Sequence, residues 1–323
     1  SSVTGKRITS TNANNSTTAD RFASSFTDYA FHEEDDYNFI KSGRNWYGNP
    51  FDVTLSQNFD FSFPNLITGT AKIKSSVIAR TSTKTSTNSK FNIFYNGTNI
   101  LSHTISNVGT GYTDDFARAS ILPGTFNASG NDINLNYVFV PYNSSSTGWI
   151  DYIELNVTRA LNFQGINLAF RDQDTINTAS ITRYSITSGS SGEKIWNVTD
   201  PTNAFEQKFD KSGNIATFTS SLAASGSSEY YMFSNAAIKS PQYSGKIVNQ
   251  DLHSLAATDM IIVTHPDFLQ ESERLAQFRR DHDNLRVTVA TTDQIFNEFS
   301  SGAQDAAAIR DFVKMFYDRA NGT

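Results

Sequence analysis

Cysteine is absent from all 323 residues. That excludes disulfides, thiolate metal sites and a cysteine nucleophile anywhere in the chain, while leaving its compartment open. No run of about 18 apolar residues occurs, so no segment reads as a membrane-spanning helix. A basic block is also missing: 26 Lys and Arg against 32 Asp and Glu give a formal charge of −6. A nucleic-acid groove needs clustered cations and is therefore disfavoured. Glycine-rich phosphate loops are lacking, since "SGSSG" at 188–192 leads into a strand pattern rather than a helix. The chain opens at Ser1 with neither Met nor a basic-then-apolar leader, which is expected of a processed or internal piece.

What is present points to β-structure. Apolar residues make up 38%, with 25 Phe and 13 Tyr, enough for a packed core. Ser, Thr and Asn fill the polar positions, a mixture that suits twisted sheets joined by polar turns. Asn-x-Ser/Thr triplets at Asn96, Asn127, Asn156 and Asn197 are expected by chance in such a chain.

Four regions follow from the patterning. Residues 1–50 open with the polar stretch "TSTNANNSTTAD", read as a loop, and continue into an aromatic-rich extension with turn signals at Gly43, Gly48 and Pro50. Residues 51–160 alternate as strands: Phe51, Val53, Leu55; Phe59, Phe61, Phe63; Ala71, Ile73, Val77. Asn96-Gly97 is a hairpin signal. In "GWIDYIELNVTRAL", strict alternation puts Ile150, Tyr152 and Glu154 on one face, with Trp149, Asp151, Ile153 and Leu155 on the other. Strands at this spacing predict a jelly-roll-like β-sandwich. Residues 161–250 read as a second, smaller β module with a hairpin turn at Lys211–Asn214.

Near residue 250 the period changes from two to helical. Met260 to Thr264 and "LRVTVA" read as parallel strands, "ESERLAQFRRDH" as a helix turning Leu275 and Phe278 inward, and Asp293 as the start of a short helix. In the last segment Ile309, Phe312, Val313 and Phe316 recur at i, i+3, i+4, i+7. The fold class is thus mostly β with α/β: sandwich modules, then the incomplete start (βαβα) of an α/β domain over 251–323. Strands apolar on both sides require cover on both faces, so further strands are expected in a parent protein.

The stretch "VTVATTDQIFNEFSSGAQDAAAIRDFVKMFYDRA" resembles the gingipain-type cysteine peptidases, and within them the sortases of the type IX secretion system. "FHEEDDYNFIKSGRNWYG", "GWIDYIELNVTRAL" and "DLHSLAATDMIIVTHPDFL" carry the same resemblance, in the order the family has them. It covers most of 26–320 and implies a caspase-like catalytic domain in an exported, outer-membrane-associated enzyme at the cell surface. The family's reaction removes the C-terminal sorting domain of cargo and joins the cargo to anionic lipopolysaccharide. Cargo sorting domains and other type IX components are the implied partners. Chemically this is acyl transfer by a cysteine with a histidine partner. Both lie beyond the second helix of the family's peptidase domain, so neither role carries over to a residue here. The implied role of this chain is non-catalytic, a scaffold or docking region, with no catalytic, cofactor-binding or metal residue and no cofactor. From another class, a carbohydrate-binding or adhesive β-sandwich protein is the alternative. A different α/β hydrolase is a third reading.

Several constellations carry chemistry-bearing side chains. His265, Pro266 and Asp267 follow the carboxyl end of a parallel strand, where ligand sites gather, but lack a nucleophile and read as a structural loop. "HEEDD", His32 to Asp36, could suit calcium but reads as a solvated turn. Asp172 and Asp174 share the opening spacing of a calcium loop without its Gly and distal Glu. Trp46, Trp149 and Trp196 could stack on sugars, although aromatics in β domains are more often core. His103, His253 and His282 have no metal-ligand spacing.

Overall fold

A computed structural model describes residues 7–39, 41, 45–171, 179–189, 191–222 and 227–320. Asp172 and Asp174 lie outside the described residues, as does Gly43. The chain divides into two compact units, Ser1–Lys239 and Ser240–Thr323.

Period-two alternation builds the first sandwich. One sheet joins Ser56–Ser62, Asp132–Val140, Asn88–Tyr95 and Thr98–Ser106 in that order, all antiparallel. The other joins Ser25–Glu33, Thr147–Ala160, Gly69–Arg80 and Arg118–Ala128, with Gly48–Phe51 also pairing to Thr147–Ala160. Between them lie Phe59, Phe61, Phe63, Ile73, Phe91, Ile93, Ile133, Leu135, Tyr137 and Phe139, all buried. Each large side chain so buried contributes roughly 1.5–3 kcal/mol. Asn96 and Gly97 hold φ of 48° and 75° between two of these strands, as a tight hairpin with two left-handed residues requires.

Two alternations depart from the sequence pattern. Gly48 and Pro50 lie in a strand rather than a turn. That strand ends at Phe51, so Val53 falls in a bend and is 90% exposed. In Thr147–Ala160 the register slips between Ile150 and Tyr152. This bulge puts Ile150 in the core together with Ile153, Leu155 and Val157, and turns Trp149 to the opposite face. Gly148 also faces the core, where a Cβ would sit 2.5 Å from the Phe91 ring.

The second sandwich has one sheet in the order Thr9–Thr11, Phe205–Gln207, Lys194–Asn197, Glu229–Phe233, Asn167–Arg171. Its other sheet joins Asn162–Phe163, Ser180–Ser188, Ile215–Leu222 and Asp210–Ser212, and Arg21–Ala23 pairs in parallel with Ser180–Ser188. Leu168, Phe170, Tyr184, Ile186, Ile195, Phe218, Tyr230 and Met232 fill the space between. Gly213, at φ 59°, turns the hairpin expected at Lys211–Asn214. The polar stretch read as a loop supplies the parallel strand Thr9–Thr11 and is held by polar contacts. Asn15 Nδ2 donates to Asp210 and to the Thr217 carbonyl, and Arg183 Nη2 donates to the carbonyls of Asn15 and Thr17. No apolar periodicity marks such a segment because hydrogen bonds, not burial, fix it.

In the second unit Met260–Thr264 and Val287–Thr291 pair in parallel. Helix α1, Leu269–Asp283, forms the crossover; α2, Thr292–Phe299, and α3, Ala306–Ala320, follow. Asn284, in the left-handed conformation at φ 55°, ends α1, and Thr291 with Gln294 forms a capping box on α2. Leu252, Ala290, Ile295, Ala308, Phe312 and Phe316 make the core, with Ile261, Val263 and Ile309 half-buried against it. Only Ala276 of α1 is buried; Leu275 and Phe278, expected inward, are 43% and 53% exposed, and Val313 of α3 is 43% exposed. Met260, Ile261, Ile262 and Val263 are all only half-buried, short of the two-sided cover that an apolar parallel strand ordinarily has.

Candidate functional site

The carboxyl edge of the parallel pair is where an α/β sheet places ligands. Thr264 and Thr291 stand opposite one another there, and both are buried. Each is committed to local structure. The Thr264 hydroxyl accepts from Ser272 Oγ at 2.8 Å, and Thr291 Oγ1 accepts from the Gln294 amide. His265 begins a short 3-10 turn and its Nδ1 accepts from the Asp267 N–H at 3.3 Å. The ring is thereby a turn cap at an exposed position, with the Asp267 carboxylate 3.5 Å away. The edge thus has a formed framework, and the hydroxyls and imidazole at its rim are engaged as caps.

His253 has a comparable structural use. The Glu298 carboxylate accepts from the Leu252 N–H at 2.7 Å, from His253 Nδ1 at 2.7 Å and from Gln250 Nε2 at 2.9 Å. Burial works against its ionisation, but these donors prevail and hold the carboxyl below its ordinary range. The His253 ring also stacks on Phe299 at 4.5 Å. Residues 250–253 are fastened to α2 by this carboxylate and by the Gln250 side chain, whose Nε2 also donates to the Gln294 carbonyl at 2.7 Å. His282 pairs with Asp283 on α1 and stacks on Phe278. His103 is fully buried in the first sandwich, with Nδ1 2.9 Å from Ser120 Oγ and Nε2 3.1 Å from Ser75 Oγ. Desolvation pulls its pKa down to about 4, so the ring is neutral.

In "HEEDD" His32 hydrogen-bonds Asn49 Oδ1, and Asn49 in turn donates to Glu34. Glu33 to Asp36 are exposed. Among the described residues no three His, Asp or Glu side chains are grouped so as to hold a metal ion. The three tryptophans part company. Trp149 is buried under Phe39, Trp196 packs edge-on to Phe233, and Trp46 alone is exposed, at 42%. No described helix is long and apolar enough to cross a membrane.

Comparison with known proteins gives a class first. Residues 253–323 match the model of peptidase family C25, and this stretch falls within the second unit. Over 98% of the chain the fold is similar to PorU from Porphyromonas gingivalis, in the crystal structure of its dimeric latent form. The TM-score is 0.81 at 23% identity. The chain spans 30% of the length of that PorU chain. The resemblance read from the four sequence stretches is thereby shown, and so is the mostly-β architecture leading into an α/β opening. Two carbohydrate-binding modules overlap far less. A CBM36 in complex with calcium and xylotriose gives a TM-score of 0.21 at 12% identity, over 31% of this chain and 71% of that one. The CBM36-1 domain of a xylanase from the hindgut metagenome of Trinervitermes trinervoides gives 0.25 at 11%, over 40% and 96%. Overlaps this small carry no argument. No curated protein matches the chain.

Proposed function

We propose that this chain is the β-rich region, with the opening of the catalytic scaffold, of a PorU-like cysteine peptidase. The observation that carries the reading is the coincidence of two matches. The family C25 model covers 253–323, and a single fold resembling PorU runs through sandwiches and α/β unit alike. In this reading the parent protein is an exported, outer-membrane-associated sortase of the type IX system. It removes the sorting domain of cargo and transfers the acyl group to anionic lipopolysaccharide. The cysteine for that acyl transfer belongs to a later part of the catalytic domain, because no residue of this chain can form the thioester, and the resemblance implies that its histidine partner lies there too. The two sandwiches act as the scaffold and dock cargo sorting domains or secretion partners.

The test has two arms. The purified chain should cleave no arginine or lysine reporter peptide, and it should retain a recombinant cargo sorting domain on a sensor surface. Cleavage by the chain alone would overturn the non-catalytic role. Failure to retain any sorting domain would overturn the docking role.

A further inference from the structure

The bulge in Thr147–Ala160 has a second effect on the outer face of its sheet. Asp151 is the extra residue, and its carboxylate is held by the Ser76 hydroxyl at 2.7 Å. Bulges commonly serve to re-aim a side chain, and here Asp151 lines a cavity of about 360 Å³. Glu33, Asp35, Asn45, Trp46, Tyr47 and Tyr152 complete the lining. Ligand sites commonly have volumes of about 300–1,000 Å³.

The aromatic walls are not equivalent. Tyr47 is stacked on Phe39, and Tyr152 on Phe31 with the Lys74 ammonium 5.2 Å from its ring centre. Trp46 has no stacking partner among the described residues, and it is the exposed member of the set. Beside it stand hydrogen-bond acceptors without cations of their own: none of Glu33, Asp35 and Asp151 forms an ion pair with a described residue. Burial, Asp35 and Asp151 together raise the Glu33 pKa, as expected of carboxylates that share one cavity. A metal ion does not fit this lining, because no three of its carboxylates are grouped for ligation. One free aromatic face beside several strong acceptors suits a ring with an apolar C–H face and a rim of hydroxyl donors. The described lining holds three carboxylates and no cationic side chain, which disfavours an acidic sugar.

We propose that this cavity, with Trp46 as its stacking wall and Asp151 as its fixed acceptor, is a binding site for an uncharged pyranose sugar. The site is independent of the peptidase reading.

The test is titration of the full chain with N-acetylchitotriose, cellotriose and mannotriose, and with trigalacturonate as the acidic counterpart, by calorimetry and by saturation-transfer NMR. The expected result is binding of at least one neutral oligosaccharide and none of trigalacturonate. Trp46→Ala should weaken it by about tenfold or more, and Asp151→Asn by several-fold. Trp46→Phe, which keeps an aromatic wall, should recover part of the affinity, separating loss of stacking from misfolding. Lack of binding by every neutral sugar at millimolar concentration would overturn the proposal. So would preference for trigalacturonate, or affinity unchanged in Trp46→Ala.

Discussion

His103 offers the sharpest check on the physical reading of the first sandwich. It is wholly inaccessible, and its ring ties Ser120 and Ser75 together while Tyr137 Oη donates to the same Ser75 oxygen at 3.1 Å. The contacts join four strands of the two sheets. Desolvation holds the folded-state pKa at about 4, against about 6.5 for an exposed ring. The sign follows directly. Between these values the unfolded chain binds a proton that the folded chain refuses, so stability is full above pH 6.5 and falls as the pH drops toward 4. At pH 5 the loss from this one residue is about 2 kcal/mol. Carboxylates titrate in the same range, so the informative quantity is a difference. The stability change from pH 7.5 to pH 5 should be about 2 kcal/mol smaller in His103→Gln than in the parent, measured by urea unfolding at both pH values. At pH 7.5 the variant should itself be less stable, because it cannot reach both serines. In NMR the His103 ring signals should stay in their neutral positions down to about pH 5. A ring that titrates near 6.5, or an identical pH dependence in the variant, would refute the assignment of a buried neutral histidine.

Three further outcomes are expected. Gly148→Ala should destabilise the first sandwich by about 1–3 kcal/mol in denaturant unfolding, because its Cβ would lie 2.5 Å from Phe91 and 3.0 Å from Phe139. Glu298→Gln should cost about 1–3 kcal/mol and speed hydrogen exchange at the Leu252 and His253 amides, leaving the sandwiches' exchange unchanged. Since the Glu298 pKa is depressed, its contribution should be present above the ordinary carboxylate range and disappear as the pH falls through the folded value. Gly48→Ala should disturb the strand Gly48–Phe51, since a Cβ there would be 2.6 Å from the Glu34 carbonyl oxygen, and should lower the thermal midpoint.

Much of this architecture was legible in the residues. The alternation of Phe59, Phe61 and Phe63 and the Asn96-Gly97 turn each correspond to an element in place, and the α-helices of the described residues all come after residue 250. Less visible was anything fixed by polar contacts or by register. Thr9–Thr11 carries no apolar signal, because its partner Phe205–Gln207 lies nearly 200 residues away and Asn15 and Arg183 hold its neighbourhood. The residues of the aromatic and acidic cavity are scattered in the sequence, where Trp46 is one of three tryptophans and Glu33 and Asp35 belong to a charge run. For Asp151 the alternation gives only a strand face. The bulge that brings it to the cavity leaves no mark in the amino-acid order.

By itself the sequence determined the classes of element, their order and the family resemblance, because these depend on local periodicity and on runs of neighbouring residues. It also determined that no thioester chemistry can reside in this chain, since that needs only the absence of one residue type. Tertiary structure alone decided which of three tryptophans meets solvent, which histidine is sealed and neutral, and that Asp151 lines one cavity with Glu33 and Asp35. Those outcomes depend on strand register and on contacts between residues far apart in the chain, and a slip of one position exchanges the buried face for the exposed one.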